Sequence, residues 1–189
     1  MKHRPLIVCG WLGLALFLPV PNTRADVSTL DAVFASDSQT NRLCLGDGSG
    51  GFTCSNISDD TNVTYGVALG FVDGDAILDA VFATGGIANR VCLGNGSGGF
   101  SCSNVSDGSN NTVGVALGFV DGDDNLDAVF ADTAPNRVCL GNGSGGFSCS
   151  NVSDDANDTS DVALGDLDSL IFSGGFESGD TSGWSNTVE

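Results

Sequence analysis

Residues 66–106 read GVALGFVDGDAILDAVFATGGIANRVCLGNGSGGFSCSNVS. Short apolar or alternating runs are broken by clusters of Gly, Asn, Asp and Ser, which is the pattern of strands joined by tight turns. The runs predict strands at 66–72, 78–84, 89–95 and 100–106. The same unit recurs on both sides. LDAVFA stands at Leu30, Leu78 and Leu126, 48 residues apart each time. NRLCLGDGSGGFTCSNIS at Asn41 returns as NRVCLGNGSGGFSCSNVS at Asn89 and Asn136. GVALGFVDGD occurs at Gly66 and Gly114, with a remnant, DVALGDLD, at Asp161. A period of this length marks a repeat architecture, to be identified before any other feature.

The expected fold class is therefore all-β, built from four-stranded antiparallel units, because four such strands per period make one propeller blade. Repeats fall at about 26–65, 66–113 and 114–160, with a partial fourth at 161–168 and a C-terminal tail at 169–189. The first copy lacks its leading strand, which the 161–168 remnant could replace, giving 12 strands and three blades. Propellers usually close with about four to eight blades. Three predict an incomplete or open propeller, or self-association through exposed blade edges.

Residues 1–25 read as a signal peptide: a basic start, an apolar run over 6–18, and Thr23-Arg24-Ala25 before the cut. That run is too short to span a bilayer, and no later segment is apolar for 18 residues, so no membrane span is expected. The expected location is secreted, extracellular or periplasmic. Removal of the leader leaves three Arg, no Lys, no His and all 24 acids, a net charge of −21 (3 − 24). Ser-His-Asp, Cys-His, histidine-zinc, Schiff-base and P-loop lysine chemistries all need side chains that this mature chain lacks. The same charge repels phosphate backbones, so no nucleic-acid partner is expected.

Six cysteines remain: Cys44, Cys54, Cys92, Cys102, Cys139 and Cys149. Each consecutive pair is ten residues apart and brackets a GDGSGG or GNGSGG turn. An even count in an exported chain implies disulfides, and the spacing favours local pairs across three hairpins. Phe34, Phe82 and Phe130 end the LDAVF strands, while Phe52, Phe100 and Phe147 follow the turns; such recurrence points to packing between units. Arg42, Arg90 and Arg137, one per copy, are expected to pair with carboxylates or brace the hairpin.

Asp-rich loops connect the first two strands of each full copy. Calcium takes about six to eight hard oxygens, and carboxylates at alternate positions of a tight turn can converge on one ion. Asp73, Asp75 and Asp79 offer such a set in the second copy, and Asp121, Asp123 and Asp127 in the third. The first copy keeps only Asp31, so no site is expected there.

ALGFVDGDAILDAVFA followed by NRVCLGNGSGGFS resembles the FG-GAP and VCBS repeats of integrin-alpha-like β-propellers. The resemblance covers roughly residues 26–168. It implies a calcium-stabilised, non-catalytic extracellular module that binds a protein or glycan partner. It also places Ile77 and Asn125 where the family uses a backbone carbonyl as ligand. Phe71 and Phe119 replace the first Asp of the family loop, and Ala76 and Asp124 replace its Gly, so one carboxylate fewer is available and a weaker site is expected. The competing expectations are a carboxylate-dependent carbohydrate-active module and a truncated propeller fragment. A hydrolase needs two carboxyls in distinct environments, whereas near-identical copies offer no singular pair.

Overall fold

The computed structural model describes residues 29–105, 108, 110–153 and 158–167. The expected signal peptide (1–25) and the expected C-terminal tail (169–189) lie outside these. The described residues hold 11 strands and no helix. The first copy contains β1 (Ala32–Phe34), β2 (Arg42–Gly46) and β3 (Phe52–Asn56). The second contains β4 (Thr64–Gly70), β5 (Asp79–Ile87), β6 (Arg90–Gly94) and β7 (Phe100–Asn104). The third contains β8 (Asn110–Gly118), β9 (Asp127–Asp132), β10 (Arg137–Gly141) and β11 (Phe147–Asn151).

Every pairing is antiparallel, and each full copy is a four-stranded meander. The first copy is a three-stranded one among the described residues, where no strand precedes β1. The sequence expectation of 12 strands is not met: residues 161–166 carry no strand assignment. A strand is defined by its ladder partner, and no described strand is laddered to this segment. Two further differences are local. β4 starts at Thr64, two residues before the apolar run. β5 runs past its expected end to Ile87, through Gly86 at φ 74°, and its last residues pair with Asn110 and Asn111 of β8. That pairing joins the second and third copies into one eight-stranded sheet, with β4 branching from β5, and folds it back so that β4 lies against β8. Gly66 of β4 faces the Val113 carbonyl and the Gly114 Cα of β8 at this contact.

The three hairpins close alike. Asp47, Asn95 and Asn142 each accept the N–H groups of the residues two and four places on, at 2.8–3.0 Å. The turn itself needs left-handed glycines, such as Gly96 and Gly98 at φ 69° and 80°. Cys44–Cys54, Cys92–Cys102 and Cys139–Cys149 are disulfides between direct cross-strand partners, as the spacing predicts.

The apolar cores lie between copies. One cluster joins Leu43 and Ile57 of the first copy to Ala80, Phe82 and Cys92 of the second. The other joins Val72, Val81, Val91 and Val105 of the second to Ala128, Phe130 and Cys139 of the third. A sheet of four short strands is too thin to bury its own faces, so each copy depends on its neighbour.

Polar staples cross the same seams. The Asn89 side-chain amide donates to Thr112 Oγ1 at 3.0 Å while its carbonyl oxygen accepts the Thr84 N–H at 2.8 Å. The Asn89 backbone carbonyl also accepts the Val105 N–H. Asn41 and Asn136 repeat the bond to Thr64 and Thr159, always 23 residues on. Arg90 pairs with Asp60 at 2.7 Å and donates to Asn104 across the hairpin at 3.2 Å, the two roles expected of the repeated arginine.

Candidate metal centre

The loop between β8 and β9 is shaped by its own carboxylates. Asp121 accepts the N–H of Asp123 at 3.0 Å. Asp123 in turn accepts the Asn125 N–H at 2.7 Å, and the Asn125 side-chain amide donates to its second oxygen at 2.7 Å. Each such Asx turn swings the next acid back over the loop, which is why alternate positions share one side. Asp127 opens β9 and is fully buried. One of its oxygens accepts the Val120 N–H and the other the Gly141 N–H, both at 2.8 Å.

Asp121, Asp123 and Asp127 each place one carboxylate oxygen within 4.8 Å of the other two. Among the described residues this is the one such group, so Asp73, Asp75 and Asp79 do not converge as tightly. The second-copy loop is built on the same bonds. Asp73 accepts from the Asp75 N–H at 3.1 Å and Asp75 from the Ile77 N–H at 2.7 Å. Buried Asp79 accepts from Val72 and Gly94 at 2.9 Å.

Sequence reasoning assigned Asp79 and Asp127 to metal alone and missed this clamp. Each ties the acidic loop to the third strand of its own copy, and each oxygen keeps a lone pair beyond its N–H bond. The signal was present. The Asp of LDAVF persists in the first copy, where no acidic loop precedes it, and there Asp31 still accepts the Gly46 N–H at 2.9 Å. The Asn–Thr staple was missed as well, although its 23-residue spacing is fixed in all three copies.

Burial raises the Asp79 carboxyl above its ordinary value of 3.8, against the pull of its two N–H donors and with some help from the charges of Asp73 and Asp75. Asp123 is lowered, chiefly by the Asn125 N–H, and Asp47 by the Ser49 N–H and hydroxyl. The signs oppose one another. Asp79 binds its proton more tightly folded than unfolded, so its contribution to stability falls as pH rises from 3.8 through its raised folded value. Asp47 and Asp123 contribute stability above 3.8 that is lost as pH falls through their lowered values. In metal-free buffer, melting temperatures from pH 3.5 to 7 are expected to fall relative to Asp79→Asn as pH rises above 3.8. Parallel curves for the two proteins would refute that expectation.

A scan against protein-family models returns no match, and a search of curated proteins returns none either. No helix among the described residues is long and apolar enough to cross a membrane.

Proposed function

We propose that this chain is an exported, non-catalytic calcium-binding β-repeat module of the FG-GAP/VCBS type, with propeller-like blades that present a surface to an extracellular protein or glycan. The observation that carries the metal assignment is the convergence of Asp121, Asp123 and Asp127. Two oxygens on one calcium at about 2.3–2.6 Å lie no more than about 5.2 Å apart, so a triad within 4.8 Å fits around a single ion. Calcium there would offset two of the three negative charges of these adjacent carboxylates and fix the β8–β9 loop. Asp121 and Asp123 would hold it from the loop and Asp127 from the strand, with the Asn125 carbonyl as a further oxygen. Asp73, Asp75, Ile77 and Asp79 would form a second, weaker site that tightens on binding.

The exported assignment draws support from three disulfides, which persist in oxidising compartments. The charge adds to it, since a chain this acidic favours cations as counterparts. Calorimetric titration of the oxidised protein with calcium is expected to resolve a tighter and a weaker site. At free calcium 100 times the dissociation constant, binding to the folded state alone adds about 2.7 kcal/mol, read as a higher melting temperature that EDTA reverses. Asp121→Asn with Asp123→Asn should abolish the tighter site. Absence of heat and an unmoved melting curve in the wild-type protein would overturn the assignment.

A further inference from the structure

Both apolar seams use the same two faces. The leading copy offers Leu43 and Ile57 at one seam and their counterparts Val91 and Val105 at the other. The following copy offers Phe82 at one and Phe130 at the other. Among the described residues, two faces lack this partner. On the third copy, Val152, the counterpart of buried Val105, is 57% exposed, and Val120, the counterpart of buried Val72, is 42% exposed. On the first copy, Phe34, the counterpart of buried Phe82, is 54% exposed, and Phe52, the counterpart of half-buried Phe100, is 56% exposed. The uncovered face of the third copy is of the leading kind and that of the first is of the following kind.

The backbone is complementary in the same sense. β5 and β9 each carry a leading strand on the side away from the hairpin, whereas β1 has only β2. Residues 161–165, DVALG, repeat the leading-strand sequence VALG of β4 and β8. They are docked as a leading strand would be. The Thr159 N–H donates to the Asp132 carbonyl at 3.3 Å, and the Asn136 amide donates to Thr159 Oγ1 at 3.0 Å. The corresponding bonds at the first seam run from Thr64 to Ser36 at 3.1 Å and from Asn41 to Thr64 at 3.2 Å. A Cβ on Gly118 would meet Leu164, just as one on Gly70 would meet Leu117. Among the described residues there is thus a copy without its leading strand, and a leading-strand sequence without its copy.

We propose that a second copy of this chain fills both deficits by binding head to tail. Residues 161–165 of one molecule add to β1 of the next, and its third copy covers Phe34 and Phe52 of that neighbour. The β4–β5 register fixes the alignment: Ala68 opposite Val81 and Val67 opposite Phe82 become Ala163 opposite Val33 and Val162 opposite Phe34. The contact is heterologous, so it closes into a ring or runs on as a filament. Two molecules complete six four-stranded units, within the range of about four to eight in which blades close. The count of six rests on the propeller reading above, whereas the pairing of faces rests on the two seams. The occupant is the chain itself because the seam it would form already occurs twice within one molecule. Like charge opposes association, so the dimer should tighten as salt rises through the Debye-screened range.

The test mixes two single variants of the full chain, Val33→Cys and Ala163→Cys, under mild oxidation. The expected product is a disulfide between Cys introduced at 33 in one molecule and at 163 in the other, together with a light-scattering mass of twice the chain for the wild-type protein. Phe52→Asp or Val152→Asp alone should weaken dimerisation by about tenfold or more, as loss of a central apolar contact does. Mixing the two should restore one intact contact. A bridge that forms only within one chain of the double cysteine variant, or a wild-type protein that stays monomeric at millimolar concentration in 0.5 M salt, would overturn the proposal. A ladder of longer oligomers joined by the 33–163 bridge would support the pairing of faces. It would overturn the six-unit ring and, with it, the propeller reading.

Discussion

Reduction of the three disulfides is expected to unfold the domain at room temperature. Each bridge closes a loop of about ten residues, which in the chain-entropy account contributes about 2.7 kcal/mol, or about 8 kcal/mol for three independent bridges. A domain of this size typically has about 5–15 kcal/mol in all. The seams leave little to compensate, since among the described residues two small clusters are enclosed and much of the first copy is open. Urea titrations with and without dithiothreitol, followed by far-ultraviolet circular dichroism, measure the effect. The single-bridge variant Cys92→Ala with Cys102→Ala should lose about 3 kcal/mol, because Cys92 is also buried in the first seam. A midpoint unchanged by reduction would show that the hairpins are held by something else.

The second large effect separates positions that the sequence writes identically. Phe34, Phe82 and Phe130 each close an LDAVF motif. Phe82 and Phe130 are wholly enclosed, so truncation to Ala should cost about 3–5 kcal/mol through lost burial and an unfilled cavity. Phe34 is more than half exposed, and the same truncation in dilute monomer should cost less than about 1 kcal/mol. Chemical denaturation at micromolar protein compares the three. Equal losses would mean that Phe34 is covered even in the isolated molecule.

Most of the fold was legible because the period repeats. A strand pattern seen once is ambiguous, but one that returns with its turns and cysteines in register fixes hairpins, disulfide partners and strand order together. What could not be read depends on partners that hydropathy does not encode. Thr64 joins β4 through a bulged register against Thr84 and through its bond to Asn41, not through apolar alternation. Residues 161–165 have the sequence of a strand and pack against the glycines of β8, yet no described strand forms a ladder with them. At the acidic loops, spacing picked out acids in both copies alike, whereas the Asn125 amide that holds Asp123 in the third copy is replaced by Ile77 in the second. The clamp formed by Asp79 and Asp127 was hidden by their being acids next to other acids, and only the solitary Asp31 gives it away.

Because the enclosed apolar groups are shared between neighbours, the fold tolerates change in whole periods better than in parts. Recombination that removes residues 66–113 would bring Leu43 and Ile57 against Ala128 and Phe130, chemistry that already exists at each junction. An insertion of one further 48-residue period would likewise create only familiar junctions, while a half-period deletion starting between Cys44 and Cys54 would leave Cys44 and Asn41 without their mates. Such a gene can grow and shrink by unequal crossing-over without meeting a new packing problem, so copy number is a variable that selection can adjust independently of the surface each copy displays.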